Sequence, residues 1–467
     1  MIRLPEPAGL SPPDRYSLTL LADFARLIPV ADHTADVVSL EVTDRPPVFH
    51  DLRTWISAGW GIAPGDGVVQ VSRATLRCVA ELASAAAERG TTARDRLGRV
   101  PPAANALVAE GLERQPIVSQ AAAAFRDAAL AAAGRRRFQL AAPWPDGRRW
   151  AVALTHDLDV VAWWAAFTTL RFIELARKGA WRLAAHAARS ALAALGQDPI
   201  GRGIRSLLDV EDGHAVRSTW FVLSGTPTWS TMRAGDLTYH PESAAVRRIL
   251  AEVHGRGHAI GLHGSLATVE SSEAFAAQRN RLADLVGRPV PGVRQHFLRF
   301  LPDRTPRAMR RAGFAYDASF GFPDRNGFRL GVADILPLWD AAPDAPELNE
   351  APLAWMDRAL SKYQGVEEPD AWVADALELA RACREVDGLW VGVWHPNLVP
   401  ALGFPGAPAA YGRLLDGLLA NRPFVGTLDE IVTWRRDRRR LRIDRLAPDG
   451  RVEFAGGSVV PVEEPSR

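Results

Sequence analysis

The chain has 467 residues, of which 47% are hydrophobic and 24% charged, a composition typical of a folded globular protein rather than of a disordered or collagen-like one. Its 56 basic and 54 acidic residues leave a formal charge of only +2, so no nucleic acid is expected as a partner. Cys78 and Cys383 are the two cysteines and lie far apart, which argues against a disulfide framework and against a thiolate zinc site.

Residues 1–145 form an N-terminal region. The spacing of apolar residues predicts one strand and two helices there, over 36–42, 73–88 and 119–133 respectively. Pro143 and Gly147 indicate a turn before the next region begins. No signal peptide is recognisable at the start, and the apolar segment 160–170 is too short to cross a membrane. We therefore expect a cytoplasmic protein without an integral membrane span.

From residue 146 to about 435, short apolar runs alternate with stretches of helical spacing. The predicted strands cover 150–154, 218–223, 258–262, 293–300, 389–394 and 424–428, and the predicted helices cover 243–256, 273–285, 305–312, 371–386 and 409–420. This alternation predicts an α/β fold with a parallel sheet or a (β/α) barrel.

Two further segments complete the predicted organisation. A Trp-, Ala- and Arg-rich stretch over about 160–215 predicts a helical insert, a packed hairpin or lid rather than a helix at a membrane surface. Residues 436–467 form a short C-terminal extension. The arginines over 435–445 favour a solvated helix end over a patch that binds anions.

Polar residues follow the predicted strands where each strand ends, as they do in barrel enzymes. Four of the 11 histidines occupy such positions, namely His156, His263, His296 and His395.

In the run AVALTHDLD, strand alternation places Asp157 and Asp159 on one face. Two such carboxylates repel each other unless a cation or a shared proton offsets the repulsion. A divalent metal is the simplest solution, and a solvated turn with an Asp N-cap is the alternative.

The other strand ends carry further candidates. His263 shares a face with small residues, which leaves space for another group. Arg294 and His296 share a face, so Arg294 is placed to hold Asp157 ionised, while His296 is either a metal ligand or a core histidine. An inward His395 suits a general acid, and a packing histidine is the alternative. Among the aromatic residues, we nominate only Trp229 for stacking on a substrate sugar.

These segments, in their order along the chain, resemble the motifs of a known family. ALTHDLD, STWFVLSG, GHAIGLHGS, GVRQHFLRF, YDASFGFPDRNGFRLG and GVWHPN are similar to those of the NodB-homology polysaccharide deacetylases, and more narrowly to the bacterial subgroup whose first motif reads THDxD. The similarity covers about 150–434 and extends more weakly to DRLGR at 95–99. It implies a distorted, TIM-like (β/α) barrel. It also implies a metal-dependent hydrolase of non-peptide carbon–nitrogen bonds, with zinc as the metal.

The resemblance also implies a substrate and roles for individual residues. The enzyme would remove N-acetyl groups from amino sugars in a polysaccharide, an oligosaccharide or an activated sugar precursor. Asp157 corresponds to the catalytic base, Asp159 and His263 to metal ligands, Arg294 to the arginine that orients the base, and His395 to the histidine that protonates the leaving amine. Water activated by the metal would attack the acetamide carbonyl.

The chain departs from the family pattern at one position. The family places a second metal-binding histidine four residues after the first, where this chain has Ala267. Either His296 supplies the third ligand, or metal binding is weak or absent. Two other functions therefore stay open: a degenerate, deacetylase-like protein that binds carbohydrate without cleaving it, and a hydrolase of another small amide.

Overall fold

The computed structural model is a mixed α/β structure. It describes residues 2–3, 9–30, 37–44, 49–134, 140–162, 165–194, 196–340, 347–441, 443–446, 452–454 and 462–463.

The N-terminal region forms a small sheet covered by helices. Its strands are β1 (Ile2–Arg3), β2 (Val38–Thr43), β3 (Ile62–Pro64) and β4 (Val68–Ser72), and the separate short strand β5 (Leu140–Ala141) follows them. Its helices are α1 (Pro12–Phe24), α2 (Leu52–Ser57), α3 (Arg73–Ala83), α4 (Ala86–Arg89), α5 (Ala106–Glu110) and α6 (Ile117–Ala133). β1, β2 and β4 are parallel, and β3 pairs antiparallel with β4. The strand predicted over 36–42 corresponds to β2, with residue 36 outside the described residues, and the helix predicted over 119–133 lies within α6. The helix predicted over 73–88 is interrupted at Ala85, whose φ is 52°.

The second region is built on a ten-stranded sheet. Its strands are β6 (Ala151–Leu158), β7 (Thr219–Leu223), β8 (Ala259–Gly264), β9 (Gly292–Gln295), β10 (Tyr316–Asp317), β11 (Leu336–Pro337), β12 (Asn349–Glu350), β13 (Trp355–Met356), β14 (Leu389–Val393) and β15 (Phe424–Val425). Their order is β11-β12-β10-β9-β8-β7-β6-β14-β13, with β15 also pairing with β6. All pairs are parallel except β11 with β12. The sheet curls into a half-barrel. No strand pairing among the described residues joins β11 to β13, so a closed TIM-like barrel is not confirmed.

Helices cover this sheet and connect its strands. They are α7 (Ala165–Arg177), α8 (Trp181–Ala193), α9 (Pro199–Gly213), α10 (Trp229–Ala234), α11 (Ala244–Gly255), α12 (Ser272–Val286), α13 (Thr305–Arg311), α14 (Pro369–Glu385), α15 (Ala407–Leu419) and α16 (Leu428–Arg439). The helical insert predicted over about 160–215 corresponds to α7, α8 and α9. In the described part of the chain, no helix is both long and apolar enough to span a membrane.

Side-chain caps explain where several helices begin. Ser243 and Ser271 accept hydrogen bonds from backbone N–H groups in the first turns of α11 and α12. Thr427 and Glu430 form a reciprocal capping box at the start of α16. Each cap satisfies an N–H group that the helix itself cannot pair.

The strand predicted over 293–300 is wrong beyond Gln295. Phe297 and Leu298 adopt left-handed φ values of 58° and 52°, which ends β9 and turns the chain. The apolar run is a buried turn rather than a strand, a distinction that hydrophobicity cannot make over so few residues. The turn carries His296, so it sets where that imidazole lies.

The prediction of a solvated helix end over 435–445 is wrong for two of its arginines, whereas Arg440 is exposed. Arg435 and Arg438 are 0% and 4% exposed, not solvated. The Arg435 guanidinium lies 2.6 Å from Asp334 and 3.0 Å from Asp23 of α1, so it joins α16 to the N-terminal region. The boundary expected between 435 and 436 therefore falls inside α16. Of the extension, three short strands are described after Leu441: β16 (Ile443–Leu446), β17 (Val452–Phe454) and β18 (Val462–Glu463).

The N-terminal region and the half-barrel share one hydrophobic core. A buried ion pair also crosses between them, with the Arg329 guanidinium 2.6 Å from the Glu88 carboxylate. The backbone N–H of Val118, at the start of α6, donates to the carbonyl of Gly331. A division of the chain into 1–145, 146–435 and 436–467 stays a prediction.

Candidate active site

One cavity collects the side chains at the carboxyl ends of four strands. Asp157 lies in β6 and Asp159 just after it, His263 lies in β8, His296 follows β9, and His395 follows β14. These five residues line a cavity of about 240 Å³. Arg294 of β9, the sixth predicted residue, is fully buried directly beneath them. Parallel strands place their carboxyl ends at one edge of the sheet, which is why residues so distant in sequence meet.

Three imidazoles surround the Asp159 carboxylate. The Nε2 atoms of His263 and His296 lie 3.4 and 3.5 Å from Asp159 Oδ1, and that of His395 lies 3.7 Å from Oδ2. Asp159 Oδ1 is buried and has no hydrogen-bond partner among the described residues. Burying a carboxylate oxygen without a partner costs free energy. Its position among three imidazoles indicates that a positively charged group binds there.

Each of these histidines is held through its other ring nitrogen. The Nδ1 contacts are His263 to the Arg294 carbonyl at 3.0 Å, His296 to Asp236 Oδ1 at 3.3 Å, and His395 to Asp357 Oδ1 at 2.6 Å. Carbonyl and carboxylate oxygens only accept, so Nδ1 carries the proton in each case. In the neutral ring, Nε2 then offers its lone pair to the cavity, the arrangement typical of metal-binding histidines.

Asp236 and Asp357, which contact two of these histidines, were not predicted from the sequence. Asp236 lies in the loop after α10, where no strand pattern marks it. Asp357 follows β13, a strand of two residues that is too short to recognise from periodicity. Its carboxylate also accepts a hydrogen bond from the backbone N–H of His395 at 2.6 Å. Had β13 been recognised, the rule that chemistry gathers at strand ends would have identified Asp357.

Arg294 holds Asp157 in one orientation. Its Nη1 donates to Asp157 Oδ1 and to Thr155 Oγ1, both at 2.8 Å, and its Nε donates to the Ala318 carbonyl at 2.9 Å. Burial raises the pKa of the Asp157 carboxyl, but Arg294 and then His263 outweigh burial and lower that pKa below its usual value. The ionised form of Asp157 is therefore favoured, and its Oδ2 lies 3.8 Å from His263 Nε2.

His395 has the surroundings of a proton donor. Burial lowers the pKa of this imidazole, but Asp357 and then Asp159 more than offset burial and raise the pKa above its ordinary value. The imidazolium form is thus favoured beside the cavity. The Asp357 contact stabilises that charge and fixes the ring.

The donors present fit a divalent metal. Ligands about 2.0–2.1 Å from a tetrahedral zinc stand roughly 3.3 Å apart. The separations of 3.4 and 3.5 Å around Asp159 Oδ1 are close to that spacing, and candidate ligand atoms of Asp159, His263 and His296 all lie within 4.8 Å of one another. Two imidazoles and one carboxylate suit zinc and also other first-row divalent ions. Ala267 is exposed and does not line the cavity, whereas His296 lines it and offers the third candidate ligand atom.

The N-terminal region also reaches this cavity, through Arg99 of the DRLGR segment. Arg99 pairs with Asp95 at 2.7 Å and donates to the Phe297 carbonyl at 3.1 Å. It therefore braces the turn that follows His296. Trp229, by contrast, is 80% exposed and is not among the residues that line the cavity, so its contact with substrate stays a prediction.

Comparison with known proteins finds similarity in structure only. No protein-family model and no curated protein sequence matches the chain. Similar solved structures include a protein assigned as a polysaccharide deacetylase from Mycobacterium smegmatis, with 21% identity and a TM-score of 0.43, covering 65% of this chain and 94% of that one. A protein with the same assignment from Pseudomonas aeruginosa PAO1 has 15% identity and a TM-score of 0.41, over 65% and 97% of the two chains.

A third similar structure is the PuuE allantoinase, with 14% identity and a TM-score of 0.40, over 64% of this chain and 94% of that one. At such low identities and TM-scores, these likenesses carry no argument about activity or substrate. They also do not test the narrower THDxD subgroup, which stays a prediction.

Proposed function

We propose that this chain is a metal-dependent hydrolase that removes N-acetyl groups from amino sugars. The observation that carries the proposal is the Asp159 carboxylate, whose buried Oδ1 faces the Nε2 atoms of His263 and His296 at 3.4 and 3.5 Å beside the ionised Asp157. Asp159, His263 and His296 would hold the metal. A divalent ion in this position supplies Lewis-acid polarisation of the amide carbonyl and acidifies water at neutral pH.

The chain's own groups carry the proton transfers. Asp157 accepts the proton of the attacking water at Oδ2, because its Oδ1 is already engaged by Arg294. His395 lies near Oδ2 of Asp159, the oxygen that the other two histidines do not face. It holds a proton at Nε2 and delivers that proton to the leaving amine. Asp357 keeps that imidazolium oriented throughout. The products are acetate and the free amino sugar.

Metal content measured together with acetate release tests the proposal. Purified protein should contain one equivalent of a divalent metal and release acetate from N-acetylated amino-sugar oligomers or sugar nucleotides. Asp159→Asn should lose both metal and activity, because it removes an anionic ligand. Asp157→Asn should keep its metal while the rate falls by ~10²–10⁴-fold, because only the proton acceptor is lost. Asp127→Asn, at an exposed position in α6, is the matched control.

Three outcomes would contradict the proposal. Variants of both aspartates that keep metal and rate would reduce the pair to a helix-capping turn. Metal-loaded wild-type protein that binds acetylated sugars without releasing acetate would instead be a carbohydrate-binding protein. Ring opening of a small cyclic amide, or cleavage of a small linear amide, with no action on sugars, would identify an amidase of another class.

A further inference from the structure

Two cations at the mouth of the cavity are not explained by the chemistry above. Arg358 and Lys362 line the same cavity as Asp157, Asp159 and His395. Arg358 immediately precedes a six-residue π-helix, Ala359–Gln364, that carries Lys362. Helices of this type are rare and occur often at functional sites. The chain has only two lysines among its 56 basic residues, and one of them stands here.

Neither cation has a carboxylate partner within 4 Å in the part of the chain that the structure describes. Arg358 is half-buried and contacts the hydroxyl of Ser361 at 3.5 Å and the ring of Phe404 at 5.4 Å. The Lys362 ammonium lies over the rings of Phe297 and Tyr363, at 5.8 and 5.6 Å. The other lysine, Lys178, is paired with Glu174 at 2.9 Å.

This arrangement is unfavourable unless something anionic occupies it. Two like charges about one helical turn apart repel each other, and a half-buried guanidinium loses hydration without gaining an ion pair. A divalent ion held by Asp159 would leave the cavity with excess positive charge. A ligand that carries its own negative charge would offset both costs.

We infer that Arg358 and Lys362 form a subsite for an anionic group of the substrate, so that the preferred substrate is an acetylated amino sugar bearing a phosphate or a carboxylate. This inference rests on the proposed function. The guanidinium can donate two parallel hydrogen bonds to either anion, and the ammonium adds a mobile point charge at the rim. The acetamide would then face Asp157 while the anion lies toward the π-helix.

Calorimetric binding to the zinc-loaded Asp157→Asn variant of the full chain tests the subsite without turnover. The ligands are N-acetylglucosamine, its 1-phosphate and 6-phosphate, and N-acetylmuramic acid as the carboxylate. At least one anionic sugar should bind about tenfold or more tightly than the neutral sugar, with affinity that falls as salt is added. The anionic sugar with the higher affinity identifies whether the subsite binds a phosphate or a carboxylate. Equal affinities for all four ligands would overturn the inference.

Substitutions separate the subsite from the metal, which also attracts anions. Lys362→Met, at an exposed position, and Arg358→Met, should each remove most of the preference while leaving the affinity for the neutral sugar unchanged. Lys178→Met, the matched control, should bind all ligands as the parent does. A preference for anionic sugars that survives both Lys362→Met and Arg358→Met would place the anion on the metal and overturn the inference, as would inorganic phosphate that binds the parent and both variants equally.

Acetate release by protein that retains Asp157 distinguishes failure of the subsite from failure of the proposed hydrolase activity. Hydrolysis of neutral sugars as fast as anionic ones, unchanged in Lys362→Met, would overturn the subsite and leave the hydrolase standing. Binding of an anionic sugar that depends on Lys362, with no acetate released, would support the subsite and overturn the proposed activity.

Discussion

At the scale of single residues, the second nitrogen of each imidazole determines what the first can do. Asp236 and Asp357 occupy equivalent positions behind His296 and His395, yet the two histidines face different tasks. One is placed to bind metal, and the other is placed to hold a proton. Removing the two carboxylates should therefore have different consequences.

Asp236→Asn is expected to lower zinc affinity by ~10–100-fold, because the ring of His296 loses the charged acceptor that orients it. Asp357→Asn should leave zinc affinity unchanged and lower the deacetylation rate by a similar factor. The two carboxylate oxygens of Asp357 accept from the backbone N–H and from the Nδ1–H of His395, whereas an amide has one acceptor oxygen and must turn its NH₂ group toward one of these donors. Zinc titration and acetate release, measured on both variants, check the contrast. Equal loss of zinc in both would assign the same role to the two histidines.

The substitution Ala267→His measures whether the family's usual ligand position is available in this chain. Ala267 is exposed and does not line the cavity. Adding an imidazole there should change zinc affinity little, whereas His296→Ala should lower it by more than about 100-fold, above the range for lost outer contacts. Competition with a chelator gives both affinities. A gain of affinity in Ala267→His would show that the loop can bring position 267 to the metal.

At the scale of elements, adjacent strands place two carboxyl groups together in the core. β10 and β12 pair in parallel with Asp317 opposite Glu350, and both residues are fully buried. Burial raises the pKa of Glu350 well above its usual value, and the charge of Asp317 raises it further. Glu350 is thus the protonated member of the pair, and its Oε1 accepts a hydrogen bond from the Phe320 N–H at 3.0 Å.

Glu350→Gln should stabilise the protein at alkaline pH. A folded-state pKa above the unfolded value of about 4.3 gives stability that is complete below pH 4 and is lost as pH rises toward the folded pKa. Glutamine keeps an acceptor oxygen for the Phe320 N–H and cannot ionise. Urea unfolding should show the variant more stable than the parent by on the order of 1 kcal/mol at pH 8, and by less at pH 5. Glu385→Gln, exposed in α14, should show no such pH dependence.

At the scale of the whole molecule, buried ion pairs join the N-terminal region to the half-barrel. Asp23 of α1 lies within 3.0 Å of the side chains of Arg435 and Arg439 of α16. Burial opposes the charge of Asp23, but these arginines and Arg438 outweigh burial and hold the pKa of its carboxyl well below the usual range. Arg99 of the same N-terminal region lines the cavity, so separation of the two regions should also disturb the candidate active site.

Asp23→Asn should cost about 3–5 kcal/mol at pH 7, because three arginines lose a buried partner. A folded-state pKa below the unfolded value of about 3.9 gives stability that is present above pH 4 and is lost as pH falls. The difference between variant and parent should therefore shrink below pH 4. Asp44→Asn removes an exposed partner of Arg73 and should cost no more than about 1 kcal/mol in the same urea unfolding series.

The sequence by itself determined local features, namely the positions of individual helices and strands and the faces on which their side chains lie. Period-two alternation placed Asp157 and Asp159 on one face of β6, helical spacing located α3, α6 and the helices around the sheet, and polar strand ends indicated four histidines. Only three of those imidazoles reach the cavity. His156 faces the other side of the sheet, where it contacts the buried Glu211 at 2.9 Å.

The tertiary structure decided which segments meet. Asp236 and His296 are 60 residues apart, Asp357 and His395 are 38 apart, and Arg99 lies in another region altogether. Periodicity describes the direction of a side chain relative to its own strand, whereas distances between strands depend on their order in the sheet, which no local pattern encodes. For the same reason, the arginines of α16 looked like a solvated helix end. Only packing against α1 revealed the carboxylate of Asp23 that keeps them buried.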